Sequence, residues 1–447
     1  MKFQKYKRMA TWLLPGLQIK RWFFLTFLGT SLCLLGFAII LDLHPVQQSI
    51  DIVKTMAESS PSSYTGTLVL VLGAVFFFLG WKKANTSLID ALGPTEKIQI
   101  LENLYRRRKL NRGPKVVAIG GGTGLSTMLK GLKHITNNIT AVVTVGDDGG
   151  SSGRLREEMG VLPPGDIRNC IAALANEENL VTELFQYRFK QGNGLEGHSF
   201  GNLFLSALCA ITGDMVSAVR ESSKVLSIRG KVLPSTLDDM RLVAEMEDGR
   251  TIMGESHIPK AGGRIKKLTA TPSNIRALDD VIQAINDSEL IIMGPGSLYT
   301  SVIPNLLIDD IVHSISKSSA KKVYICNIMT QPGETDDFSA ADHVKAILDH
   351  SKYDNILDTV FVNDSLPKNL ALKYKAVNSN PVKLDIENLK KLGVKVVVKR
   401  LIEKNKDGLV RHSPRRLARI IYNWYRSSNP DKYYQELEKD LETHEFV

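Results

Sequence analysis

Cysteine is scarce in this chain: Cys33, Cys170, Cys209 and Cys326 are the only four in 447 residues. Each sits alone in apolar surroundings with no C-x-x-C pair, which argues against a disulfide framework or a zinc site and fits a reducing compartment. A broadly distributed positive charge is also missing. The net charge is +10, but residues 1–112 hold 15 Lys/Arg against 6 Asp/Glu, which leaves 42 against 41 for the remainder. The basicity belongs to the N-terminal arm, so the rest of the chain is not a nucleic-acid-binding surface. No G-K-[ST] follows any glycine turn, which excludes a Walker loop. No internal repeat of about 20 to 50 residues is visible. What remains is a chain with 43% apolar residues, enough for a substantial core.

The arm reads as a membrane anchor over 1–86. Trp22 to Leu41 is 20 residues without a charge, and Thr65 to Trp81 is 17. Both lengths fall in the range of a helix that crosses a bilayer. Lys2, Lys5, Lys7, Arg8, Lys20 and Arg21 precede the first run, and Lys82 and Lys83 follow the second. The positive-inside rule then puts both ends and the globular part in the cytoplasm, at the cytoplasmic membrane. A cleaved signal peptide is disfavoured, because the run is long and no small-residue cleavage site follows. Residues 87–114 form a basic helical linker ending in Arg106-Arg107-Arg108-Lys109, broken by Asn111-Arg112-Gly113-Pro114. The linker is either a solvated face or a contact for anionic headgroups.

From 115 to 427 the pattern alternates strand and helix, which predicts a Rossmann-like, doubly wound parallel sheet. Val116 to Ile119 is a strand buried on both faces, and the period turns helical from Leu125. Further strands are expected at Leu290 to Met293, Lys322 to Ile325, Thr359 to Val362 and Lys395 to Val398. A long insertion lies between the second and third main strands, helical from about Asp166 to Val225 and then β-hairpins to Leu268, with a turn at Asp248-Gly249. Arg415 to Arg426 is a closing helix, and 428–447 is a charged tail.

Candidate ligand-binding residues cluster at strand ends. Gly120, Gly121, Gly122, Thr123 and Gly124 make a turn into a helix that suits a phosphate, since glycines let an anion approach the backbone amides. The dinucleotide fingerprint is incomplete, because Leu125 stands where the third glycine belongs. An NAD(P)-dependent oxidoreductase is the weakest reading for that reason. Asp147 and Asp148 end the second strand. They are placed to accept from a sugar hydroxyl or to hold Mg²⁺ against a diphosphate, beside Ser151 and Ser152; the alternative is a pair of turn-forming carboxylates. Asp166, Arg168 and Asn169 repeat carboxylate and guanidinium at a helix start, where Asp166 is either an N-cap or a ligand contact. Gly197-His198-Ser199-Phe200-Gly201 matches G-x-S-x-G, but a loop rather than a strand precedes it, so Ser199 reads as an N-cap with His198 and Asn202 near ligand. Gly294, Gly296 and Ser297 follow the third strand, and Asn327 and Thr330 the fourth. Phe338 and Lys375 have the chemistry to stack on and pair with a nucleotide. No catalytic residue is assigned.

The motifs GGGTGLS, TVGDDGGSSGRLR, PPGDIRN, GHSFGNLFLSAL, RGKVLPST, EDGRTIMGESHIPK, GPGSLYTSVIPNLL and CNIMTQPGETDDFSAADHVKA resemble the YvcK branch of the YvcK/CofD-like family, the gluconeogenesis factors. The similarity runs from Lys115 to the end of the closing helix. It implies a Rossmann-like protein that binds UDP-sugars, notably UDP-N-acetylglucosamine, and links carbon metabolism to cell-wall synthesis and cell shape. The CofD branch implies instead a transferase that moves 2-phospholactate from a nucleoside diphosphate conjugate onto a deazaflavin. Phe338 stands where some relatives have tyrosine, and Lys375 near an arginine. The two-span arm departs from the typical soluble member. The partners expected are a nucleotide sugar, the lipid bilayer and a second copy of the chain in a homo-oligomer.

Overall fold

The computed structural model describes residues 44–58, a few positions between 67 and 79, and residues 107–176, 180–364, 378–404 and 410–429. By contacts the chain divides into residues 1–105 with 428–447, and residues 106–427. In the first unit a helix spans His44–Glu58. The expected span 22–41 lies outside the described residues. Of 65–81, only Thr67, Val71, Leu72, Val75 and Leu79 are described, and they are helical. Among the described residues, no single helix is long and apolar enough to cross a membrane.

The second unit is built on a seven-stranded parallel sheet in the order β10-β9-β8-β7-β1-β2-β3. Its strands are β1 Val116–Gly120, β2 Ile139–Val143, β3 Lys231–Pro234, β7 Leu290–Met293, β8 Lys321–Ile325, β9 Thr359–Asn363 and β10 Lys395–Lys399. The four later strands fall where their Ile/Val-rich runs place them. β3 was not expected: the insertion contributes an edge strand to the main sheet beside β2. Its Pro234 is tolerated because an edge strand has ladder positions that need no amide donor.

Alternation along β1 explains why both faces are apolar. Val117 and Ile119 enter one core with Val142, Ile291, Met293 and Tyr324. Val116 and Ala118 enter the other with Ala141, Val143, Ile292 and Ile325. On this second face, α1 Gly122–Leu132 packs beside α3 Pro164–Leu174 and the closing helix Pro414–Ser427. Leu125, Met128 and Leu129 of α1 are fully buried, and truncating such a leucine to alanine costs about 2–5 kcal/mol. The linker's end, helical over 107–111, is pinned to the domain by Asn138, whose Nδ2 donates to the carbonyls of Asn111 (2.9 Å) and Gly113 (2.7 Å).

The insertion's helices are α2 Gly150–Met159, α3, α4 Leu180–Gln186, α5 Phe200–Thr212 and α6 Met215–Val225. The expected hairpins form a three-stranded antiparallel sheet in the order β5-β4-β6, with β4 Arg241–Met246, β5 Thr251–Met253 and β6 Ile265–Thr271. Asp248 and Gly249 (φ 86°) make the β4–β5 turn. A short antiparallel pair, β11 Ile402–Lys404 with β12 Val410–His412, precedes the closing helix and was not expected.

Strand order now fixes where a ligand is held. β1 leads to β2 on one side and pairs with β7 on the other, so the order reverses between β1 and β7. In open parallel sheets, the crevice beyond the strand ends at such a reversal is the binding position.

Candidate functional site

Register brings three turns to one level. Gly120 is paired with Val143, the carbonyl of Gly120 accepts from Thr144 N (2.9 Å), and Gly294 N donates to the carbonyl of Ile119 (2.9 Å). The glycine turn of β1 therefore lies between the Thr144–Asp148 turn of β2 and the Gly294–Ser297 turn of β7. At Gly121 any Cβ would sit 2.5 Å from Asp166 Oδ2 and 2.6 Å from Thr144 Cγ2. At Gly124 it would sit 2.3 Å from the carbonyl oxygen of Pro295. Gly124, not Leu125, thus performs the close packing expected of a third glycine, and it packs against the β7 turn. Leu125 belongs to the core. Thr123 is exposed and its carbonyl receives the hydroxyls of Ser126 and Thr127.

Asp166 corrects the simplest view of the glycine loop. It is not the N-cap of its own helix, a place held by Pro163. Its carboxylate instead accepts from the amide of Gly122, so the first amide of α1 already has an anionic partner. Burial, with the charge of Asp147 added, pushes the Asp166 carboxyl up to about 6.

Asp147 and Asp148 face different partners. Asp147 Oδ1 accepts from Gly149 N (2.9 Å) and its carboxylate from Ser152; burial raises its carboxyl against those bonds. Asp148 Oδ1 accepts from Ser256 N (2.8 Å) in the turn after β5. Among the described residues, no three His, Cys, Asp or Glu side chains converge to hold a metal ion.

Beside this acidic wall runs a buried polar chain. Ser151 Oγ meets His198 Nδ1 at 3.0 Å and accepts from Asn202 Nδ2 at 3.0 Å. Burial lowers the His198 imidazole, with Arg154 adding to it, which favours the neutral ring. Ser152 Oγ accepts from Gly165 N (3.1 Å). Ser199 caps α5 as expected, accepting from Asn202 N (3.2 Å), and also receives Arg168, whose other amino group donates to Asn169 Oδ1 (2.9 Å). A Ser199 hydroxyl so engaged, and fully buried, is no nucleophile. Arg168 Nε and Asn202 Oδ1 are buried without a partner.

On the other side, the Ser297 carbonyl accepts from Ser301 N and Val302 N, both 3.0 Å, and Gly296 approaches Gly121 and Ser301 closely. Asn327 follows β8, half-buried, at the same sheet edge. Two further expected contacts have partners within the protein. Thr330 is buried and ties the chain to Asn380, its amide donating to the Asn380 carbonyl (2.7 Å) and its Oγ1 accepting from Asn380 N (2.9 Å). Phe338, half-buried, packs edge-on against Tyr299 (6.2 Å) and His343 (5.6 Å) at the margin of the core. Lys375 lies outside the described residues.

Sequence reasoning missed Glu255, Glu334, Asn305 and Arg156. Glu255 follows β5, and burial together with Asp147, Glu334, Asp148 and Asp166 pushes its carboxyl up to about 8. Glu334 is buried and pushed up to about 7 by that burial, although Thr300 Oγ1 donates to it at 3.2 Å and Gln331 also bonds it. Asn305, fully buried, donates to the carbonyls of Ser301 (2.9 Å) and Gly120 (3.5 Å). Arg156 is buried against Asp239 and the carbonyl of Met240 (2.7 Å), and reaches the Asp147 carbonyl (3.4 Å). All four lie inside the motifs quoted above, TVGDDGGSSGRLR, EDGRTIMGESHIPK, GPGSLYTSVIPNLL and CNIMTQPGETDDFSAADHVKA, which were the available signal.

The family model described as 2-phospho-L-lactate transferase CofD matches residues 116–402. The chain belongs to the CofD family. Its relatives include the gluconeogenesis factor of Bacillus subtilis, 51% identical over 70% of this chain and 98% of that protein. A gluconeogenesis-factor relative from Nostoc is 50% identical over 94% of this chain and 93% of its own length. The crystal structure of a UPF0052-family protein from Bacillus halodurans matches with a TM-score of 0.67 at 47% identity, covering 68% of this chain and 98% of that one. This CofD-family chain therefore shares its extra N-terminal length with the Nostoc relative, whereas the Bacillus proteins match only the shorter extent.

Proposed function

We propose that the chain is a nucleotide-sugar-binding regulator. UDP-N-acetylglucosamine is its ligand, and it links gluconeogenic carbon metabolism to cell-wall synthesis and cell shape without turnover. The observation that carries this reading is the coincidence of two glycine turns, Gly120–Gly124 and Gly294–Gly296, at the single reversal of strand order. Backbone amides of these turns other than that of Gly122, which Asp166 holds, suit a diphosphate, while the acidic side suits the hydroxyls of a sugar. The relatives named gluconeogenesis factors support the regulatory part. Calorimetric titration with UDP-N-acetylglucosamine, GDP and NAD tests it: UDP-N-acetylglucosamine should bind, and binding of GDP in its place would overturn it.

The match to a transferase model favours a second reading, transfer of 2-phospholactate from a nucleoside diphosphate conjugate. Incubation with such a conjugate and a deazaflavin acceptor should leave the nucleotide unreleased; release on acceptor addition would establish the enzyme instead.

Residues 1–86 are proposed to anchor the domain to the cytoplasmic face of the membrane, with spans over 22–41 and 65–81, and the protein to act as a homo-oligomer. The uncharged runs and their flanking lysines and arginines support the anchor. Deleting residues 1–105 should release a soluble, ligand-competent domain, and recovery of the full chain in the soluble fraction would refute the anchor.

A further inference from the structure

The antiparallel sheet does more than cover the main core, because its β5 end carries a carboxyl into the acidic wall. Gly254 (φ 99°) lies so close to Asp148 that a Cβ there would sit 2.5 Å from Oδ2, and Ser256 N donates to Asp148 Oδ1 at 2.8 Å. Both neighbours of Glu255 are therefore locked onto one aspartate of the β2 turn. The segment behind is locked as well: a Cβ on Gly333 would lie 1.9 Å from the Pro259 carbonyl oxygen, so the Gln331–Thr335 turn rests on the residues just after Glu255.

We propose that Glu255, backed by Glu334, is a specificity-determining residue that reads a hydroxyl or amide hydrogen on the sugar half of a bound nucleotide sugar. The inference rests on the nucleotide-sugar reading given above. Two observations carry it. Glu334 is 2% exposed, with Oε1 held by the Thr300 and Gln331 side chains, the Tyr299 and Thr300 amides turned toward the carboxylate, and Oε2 without a hydrogen bond of its own. A buried acceptor without a hydrogen bond of its own is a place where a donor is wanted. Neither Glu255 nor Glu334 is ion-paired with a described residue. Like-charged groups gathered at one place repel a bare phosphate and favour the donor-rich part of a ligand, since a carboxylate only accepts and a neutral carboxyl donates once. A ligand whose diphosphate lies across the glycine turns therefore directs its sugar toward Glu255.

The test titrates the full chain with UDP-N-acetylglucosamine and with UDP. Wild type should prefer the sugar nucleotide. Glu255→Ala should weaken that ligand at least about tenfold while leaving UDP unchanged within about twofold, and Glu255→Gln, which keeps an acceptor and a donor, should restore most of the preference. A preference unchanged in Glu255→Ala, or a loss equal for both ligands, overturns the proposal while the nucleotide-sugar reading stands. Wild type that binds neither nucleotide overturns both. Should Glu255→Ala fail to fold, Glu255→Asp, which withdraws the carboxyl by one methylene, should show the same selective loss.

Discussion

Neutralising Glu255 should stabilise the protein, and the gain should depend on pH in a direction set by the site. The Glu255 carboxyl titrates at about 8 in the folded chain against an ordinary 4.5, chiefly through burial and then the charges of Asp147, Glu334, Asp148 and Asp166. A carboxyl raised on folding holds its proton where the unfolded chain has released it. Its contribution is therefore fully present below pH 4.5 and is lost as pH rises toward 8. The gap corresponds to about 5 kcal/mol, of which roughly half is a fair share for one member of a mutually repelling group. Glu255→Gln should thus gain about 2–3 kcal/mol at pH 8 and nothing at pH 4. For a domain of about 320 residues the unfolding entropy is about 0.7 kcal/mol per degree, so the melting temperature should rise by about 4 °C. Thermal melts of wild type and Glu255→Gln from pH 4 to pH 8.5 check this. Parallel profiles for the two proteins would refute the claim that Glu255 is buried among carboxylates.

Asp166→Asn should show the same sign over a lower window, between pH 4 and pH 6, because its carboxyl is pushed up to about 6; melting curves that gain equally at pH 4 would count against it. Gly124→Ala should lower the melting temperature and weaken nucleotide binding together, because the new methyl meets the Pro295 backbone and overpacking costs about 1–3 kcal/mol; Gly149→Ala, where the nearest atoms are at 3.4 Å and beyond, is the matched control for stability. Arg156→Ala should destabilise by about 1.5–3 kcal/mol in denaturant melts, since it removes a buried guanidinium that joins the exposed Asp239 to the carbonyls of Met240 and Asp147; a loss below about 0.5 kcal/mol would show that these groups are solvated. Ser199→Ala should cost about 1–2 kcal/mol by uncapping α5 and leaving Arg168 without its hydroxyl partner, with Gly as a milder replacement than Ala.

Much of the sheet was legible because buried parallel strands are short β-branched runs, as Leu290-Ile291-Ile292-Met293 shows. β3 was not, since Lys231-Val232-Leu233-Pro234 offers only one β-branched residue, Val232, and ends in proline; the pairing with β2 supplies what local propensity does not. The glycine turns and Asp147, Asp148, Ser151 and Ser152 were legible because they follow strands directly. The roles within them were not, because each depends on a distant partner. Asp166 reaches Gly122, Asp148 reaches Ser256, and Thr330 is taken by Asn380, none of which follows from adjacency in the chain. Glu255 is the clearest case: its residue type was visible, but its neighbours are assembled only when the antiparallel sheet folds onto the β2 turn.

Gly131 in α1 has the carbonyl oxygen of Pro414 where a Cβ would be only 2.0 Å away, and Leu417, Ala418 and Ile421 share the core that holds Leu125 and Met128. During synthesis α1 emerges long before its covering helix exists. The apolar stripe beside the glycine turn therefore waits uncovered until nearly the whole domain has left the ribosome. A chain cut short before Pro414 would leave exposed the part of that stripe which Leu417, Ala418 and Ile421 cover.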